Sequence, residues 1–162
     1  MREPSIGEIM QLIEDTAAVE GVPEPILHAL VHTESGFKVW STRYEPMFSK
    51  HHVTEGLLLD TTQRTETEHQ KTSWGLCQIM GYTARRIGWR DPIPRILMPE
   101  INIKLACNYL NDLHADARGR GTWRWALNAY NHSEKWLEIN PEWARVGYIE
   151  HYAEALATVG EA

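Results

Sequence analysis

The sequence predicts a mainly α-helical protein with a single domain. Apolar residues recur at helical spacing through most of the 162-residue chain, and strand-like alternation is almost absent. The length suits one compact core and is short for two. Apolar residues make up 43% of the chain and charged residues 23%, which are ordinary values for a globular protein and give no compositional argument for disorder. We therefore treat residues 1–162 as one domain.

The helix boundaries follow from caps and chain-breaking residues. Ser5 and Glu8 have capping-box spacing, and the helical pattern that follows runs to Gly21. A second, strongly apolar helix begins at Pro23 and Pro25 and ends near residues 35–36. Further helical segments are predicted over residues 74–80, 83–87, 99–119, 123–131 and 141–159.

The segment 41–72 differs from the rest because polar and charged residues dominate it. We expect an inserted loop there, and a small hairpin within it would make the fold α+β. Loops of this length inside a compact domain usually serve a function.

Several classes of protein are disfavoured by charge and hydropathy. No apolar run is long enough to span a bilayer, and the first 15 residues lack the continuous apolar region of a secretory signal. We therefore expect synthesis in the cytoplasm. The net charge of −6 argues against nucleic-acid binding, which requires neutralisation of phosphates.

Neither the cysteines nor the histidines indicate a cofactor. Cys77 and Cys107 lie in apolar surroundings, where we expect reduced, buried side chains. His28 and His32 have the spacing of zinc ligands, but Ala29 stands where a zinc protease has its glutamate. We expect no metal and no cofactor.

Glu34 is the candidate catalytic residue. It lies at the end of the most apolar helix, and burial among apolar groups raises the pKa of a carboxyl group. Cleavage of a glycosidic bond needs a proton donor near neutral pH, and a carboxyl group of raised pKa can supply it. Helix-terminal glutamates are common, so this position alone is weak evidence.

Three short motifs strengthen the assignment. They are His-Thr-Glu-Ser-Gly-Phe at residues 32–37, Ser-Trp-Gly-Leu-Cys-Gln-Ile-Met at 73–80, and Leu-Asn-Ala-Tyr-Asn at 127–131. In this order they resemble the signature blocks of the soluble lytic transglycosylase and goose-type lysozyme family. Residues 102–110 and 148–149 resemble two further family segments, so the likeness spans roughly residues 16–156.

The resemblance implies a lysozyme-like domain that cleaves the β-1,4 bond between N-acetylmuramic acid (MurNAc) and N-acetylglucosamine (GlcNAc) in peptidoglycan. Glu34 would donate a proton to the bridging oxygen and then accept one from the muramoyl C6 hydroxyl, which leaves a 1,6-anhydroMurNAc end. The partner would be the glycan strand, bound by a monomer. Without a signal sequence, release by a phage holin or delivery on a virion would bring the enzyme to the cell wall. A trimmed fragment of a secreted bacterial enzyme would have the same sequence features.

The same resemblance assigns five supporting residues. Ser73 and Tyr130 would orient Glu34, Gln78 and Asn131 would hold the N-acetyl sugar, and Tyr148 would close the cleft. Cys77 replaces the usual methionine of the family, a change between soft apolar side chains.

Two alternatives remain open at this stage. Goose-type lysozymes place acidic residues after the catalytic glutamate to position a water, and Glu45 is the candidate second carboxylate for such a hydrolase. A peptidoglycan-binding module without catalysis would keep the same fold.

Overall fold

The computed structural model describes residues 2–48, 61–115, 121–132 and 151–161. These ranges contain seven α-helices, one 3-10 helix and three short strands. The helices are α1 (Ile6–Glu20), α2 (Glu24–Ser35), α3 (Gln63–Gln70), α4 (Gly81–Arg86), α5 (Pro99–Ala115), α6 (Trp123–His132) and α7 (Ala153–Thr158), with the 3-10 helix at Ile93–Leu97. The strands are β1 (Thr42–Tyr44), β2 (Thr72–Trp74) and β3 (Ile79–Met80). The prediction of a mainly α fold is confirmed.

The first two helices form where their caps predict them. Ser5 caps α1 in a complete capping box with Glu8, and Gly21 ends that helix in the left-handed conformation, with φ of 73°. Gly36 ends α2 in the same way, with φ of 57°. Four side chains of α2 are fully buried, and they anchor the helix that carries Glu34: Ile26, Leu27, Leu30 and Val31.

The long helix α5 lies at the centre of the core and packs against both α1 and α6. Its buried stripe includes Ile103, Ala106 and Leu110. Cys107 from this helix and Cys77 are both buried and unpaired, which confirms that the cysteines are reduced apolar residues. None of the described helices combines the length and the apolar character that a bilayer span requires.

The three strands form a small antiparallel sheet in the order β1-β2-β3. The helix predicted over residues 74–80 is therefore wrong, because a strand, a turn and another strand occupy this segment. Gly75 and Gln78 have φ of 72° and 47°, which a right-handed helix does not accommodate. A short apolar run has no period long enough to distinguish strand from helix.

A buried asparagine fixes this turn to α5. The Asn102 side chain accepts a hydrogen bond from Cys77 N at 2.7 Å and donates one to Trp74 O at 2.8 Å. A Cβ atom at Gly75 would lie 2.5 Å from Asn102 Nδ2, so the glycine is required by both its φ and its neighbour.

The loop predicted over 41–72 is wrong in two places, since β1 and α3 lie within it; residues 49–60 are outside the described ranges. β1 pairs with β2 rather than with a second strand inside the segment. The helix α3 carries almost no apolar side chains, and its buried side is held by polar contacts. This is why hydrophobic periodicity did not indicate it.

Glu66 of α3 forms a buried ion pair with Arg85 of α4. Arg85 Nε and Nη2 donate to the two carboxylate oxygens at 2.7 and 3.1 Å, and Gln70 Nε2 donates to the carboxylate at 2.8 Å. Arg85 Nη1 also donates to the carbonyl oxygens of Trp89 and Asp91. Burial acts to raise the pKa of Glu66, but these hydrogen bonds outweigh it and hold the pKa below its ordinary value.

The N-terminus of α6 is capped from the far end of the chain. The Glu161 carboxylate accepts hydrogen bonds from the backbone N–H groups of Trp123 and Arg124 at 3.0 and 2.9 Å. Of the predicted 141–159 helix, the described part contains α7. The end predicted for α5 near residue 119 lies outside the described residues.

Candidate active site

A cleft of about 430 Å³ lies among the C-terminal end of α2, the sheet, α4 and the C-terminal end of α6. Six of the seven predicted site residues line it: Glu34, Glu45, Ser73, Gln78, Tyr130 and Asn131. The seventh, Tyr148, lies outside the described residues. Residues that are distant in the sequence thus meet in one cavity.

Glu34 occupies the last turn of α2 and is partly buried. Burial raises the pKa of its carboxyl group to about 7, and the nearby charge of Arg43 opposes this rise. A large fraction of Glu34 is therefore protonated near neutral pH, as a general acid requires. The helix ends two residues after Glu34, where Gly36 N donates to His32 O at 2.9 Å.

The two histidines of α2 pack around an aromatic ring. The ring centroids of His28 and His32 lie 5.3 and 5.8 Å from that of Phe37. Within the described residues no group of three or more His, Cys, Asp or Glu side chains is arranged to hold a metal ion.

Tyr130 on α6 connects the cleft to the turn between β2 and β3. Its hydroxyl donates to Cys77 O at 2.8 Å, so its only proton is not directed at Glu34. Burial raises the pKa of Tyr130 well above its usual value, and the charges of Cys77 and Glu34 add to this effect. Tyr130 therefore remains protonated, and towards Glu34 its oxygen can only accept a hydrogen bond from the protonated carboxyl group.

Gln78 has a constrained backbone and an oriented side chain. Its φ of 47° is unusual for a residue other than glycine, and such conformations cluster at functional sites. Its Nε2 donates to two backbone carbonyl oxygens, Ser41 O at 3.1 Å and Gly75 O at 2.8 Å. Because both partners are acceptors, the amide nitrogen must face them, and Oε1 is left as the group that can accept from a ligand.

Ser73 and Asn131 differ in exposure. Ser73 is buried in β2, the central strand of the sheet, where it pairs with Arg43 on one side and Met80 on the other. Asn131 is exposed at the end of α6, so its amide is accessible to a ligand in the cleft.

Glu45 lines the same cleft as Glu34 but forms an ion pair with Arg43. Its backbone N donates to Lys71 O at 2.8 Å, which continues the contact between β1 and the chain before β2. The pair places a negative and a positive group next to each other at the side of the cleft.

One wall of the cleft was not predicted from the sequence: it belongs to α4 and consists of Tyr82, Thr83 and Arg86. Thr83 and Arg86 follow Tyr82 by one and four residues, so the three side chains lie on one face of the helix. A helix of six residues gives only a weak periodic signal in the sequence. Neither Trp40 nor Trp74 is among the residues that line the cleft. Trp74 is buried, and its Nε1 donates to His69 O at 3.0 Å.

A mainly helical domain with a small sheet and a partly buried carboxyl group of raised pKa in its cleft has the features of a lysozyme-like protein. The chain matches the family model of the transglycosylase SLT domain over residues 11–139. The protein belongs to this family, whose members are lytic transglycosylases that act on peptidoglycan. Comparisons with curated proteins and with solved structures found no match. The family match confirms the resemblance drawn from the motifs.

Proposed function

We propose that this protein cleaves the β-1,4 bond between MurNAc and GlcNAc in peptidoglycan, with Glu34 as acid and then base. The observation that carries the proposal is the cleft carboxyl group of Glu34, whose pKa burial raises to about 7. A carboxyl group that titrates near the working pH is suited both to donate and to accept a proton.

In the first step Glu34 protonates the bridging oxygen as the bond to C1 of MurNAc breaks. The acetamido group of the substrate stabilises the cationic centre, so a second carboxylate of the protein is not required. The carboxylate of Glu34 then removes the proton from the C6 hydroxyl, whose oxygen bonds to C1. The product is a 1,6-anhydroMurNAc end, and no water is consumed.

The remaining cleft residues have supporting roles in this proposal. Oε1 of Gln78 accepts a hydrogen bond from the N–H of an N-acetyl group, and the exposed amide of Asn131 contacts the same sugar. Ser73 and the hydroxyl oxygen of Tyr130 orient the Glu34 carboxyl group. The role that the family resemblance implies for Tyr148, closing the cleft, concerns a residue outside the described part of the chain.

The test of the acid is the variant Glu34→Gln, which keeps the size of the side chain and removes the titratable group. We expect loss of turbidity reduction on purified cell walls with retained wall binding. Glu14→Gln is the matched control, because Glu14 is an exposed residue of α1 away from the cleft. Full lytic activity of Glu34→Gln would refute the assignment, and wall binding without lysis by the unmodified protein would favour a binding module.

A second candidate function is hydrolysis, and it rests on Glu45 lining the same cleft. A water positioned by Glu45 would attack C1 and leave a reducing end. Mass spectrometry of the released muropeptides separates the two reactions, because an anhydro end is lighter than a reducing end by one water. Transglycosylation predicts anhydro ends that persist in Glu45→Gln.

A further inference from the structure

Arg86 is a positively charged residue of the cleft wall. It is exposed on α4, lines the cleft, and forms no ion pair or hydrogen bond within the described parts of the chain. Among the other described residues that line the cleft, Arg43 is paired with Glu45, and Glu34 is the proposed acid.

The two neighbouring arginines of α4 have different surroundings. Arg85 is fully buried and is held by Glu66, so it serves the fold. Arg86 lies one helical turn after Tyr82, and both side chains face the cleft. A cation in the last turn of a helix is favourable, but Arg85 already provides one there. Local stability therefore does not explain the second arginine.

The overall charge of the chain does not explain it either. The protein carries a net charge of −6, so a free cation in a cleft is not a consequence of a basic composition. A guanidinium group matches a carboxylate with two parallel hydrogen bonds, and such charge-assisted pairs give strong selectivity for an anionic ligand.

We propose that Arg86 binds a carboxylate on the lactyl arm of the muramic acid residue, and so selects anionic glycan strands. This inference rests on the proposed function. The sugar backbone of peptidoglycan carries no charge of its own, and its carboxylates lie on this arm. The carboxylate is that of the stem peptide where a peptide is attached, and that of the lactyl group where the strand is bare.

The experiment compares soluble glycan strands before and after their carboxyl groups are converted to amides. Strands with stem peptides and strands stripped of them are both used, so that the two sources of the carboxylate are distinguished. We expect the wild-type protein to prefer the free carboxylate on at least one strand type by about tenfold in kcat/KM, which corresponds to about 1.4 kcal/mol. Arg86→Gln should reduce this preference to near one, and Arg86→Lys should retain part of it.

Arg64→Gln is the matched control, because Arg64 is an exposed arginine of α3 that neither lines the cleft nor forms an ion pair in the described chain. The Arg64→Gln variant should keep the full preference for strands with free carboxylates. A wild-type protein that cleaves free and amidated strands equally well would overturn the role of Arg86 alone, and so would an undiminished preference in Arg86→Gln. A wild-type protein that cleaves none of the four substrates would overturn the proposed function as well.

Discussion

Replacing Glu34 with glutamine should stabilise the folded protein at alkaline pH. The pKa of Glu34 is about 7 in the folded protein, against an ordinary value of 4.5. Because the folded state resists ionisation of this group, the unfolded state releases the proton first as pH rises, and the folded state loses stability. This loss of stability is absent below the ordinary pKa of 4.5, grows between the two pKa values and is complete above the pKa of the folded state.

The difference between these values corresponds to about 3 kcal/mol, and partial exposure of the side chain to water lowers this to about 2 kcal/mol. Glutamine resembles the protonated acid and carries no such penalty. For a domain of this size, the gain raises the melting temperature by about 4–8 °C at pH ~8, and by almost nothing at pH ~4.

Thermal unfolding followed by circular dichroism at both pH values measures this effect. The control Glu14→Gln makes the same chemical change at an exposed site and should change stability little at either pH. Equal stabilisation by Glu34→Gln at both pH values would refute the reasoning, because it would show that the burial of charge is not the cause.

Two further changes test the surroundings of the acid. Glu45→Gln removes the partner of Arg43, whose charge then acts fully on Glu34 and lowers its pKa; the pH above which lysis declines should therefore fall. Gly75→Ala should destabilise the protein by about 2–4 kcal/mol in urea unfolding, because the new methyl group meets the Asn102 side chain and the backbone φ is positive.

Each of these changes has its own control. In the double variant Arg43→Gln, Glu45→Gln the pH limit should return towards its original position, and an unchanged limit in the single variant would contradict electrostatic coupling. Gly7 of α1 has open space around its Cβ position, and Gly7→Ala should be neutral or stabilising. A cost at Gly75 no greater than at Gly7 would show that the turn is not constrained as described.

Sequence reasoning succeeded where a signal is local. The cap residues Ser5, Gly21 and Gly36 act on the backbone beside them, so the ends of α1 and α2 could be read directly. The apolar helix before Glu34 and the motif that contains it point to this residue, which lies in the cleft; its catalytic role stays a prediction. Its raised pKa follows from the same burial.

Sequence reasoning failed where the cause lies far along the chain. The buried face of α3 consists of Glu66 and Gln70, whose burial is favourable only because Arg85 meets them from another helix. The turn after β2 is held by Asn102, which is distant in the sequence. Tertiary packing likewise decides that Arg43 pairs with Glu45 and that Arg86 has no partner among the described residues. Charge and spacing in the sequence could therefore not predict which of these two arginines is paired.

The buried pair of Glu66 and Arg85 restricts how this sequence can change. Loss of either partner leaves an uncompensated charge in the interior and costs about 3–5 kcal/mol, whereas joint replacement by apolar residues of similar volume is often neutral or stabilising. A lineage that exchanges the pair must pass through a form with a large part of its stability lost. Among related chains, these two positions should therefore be retained together or replaced together.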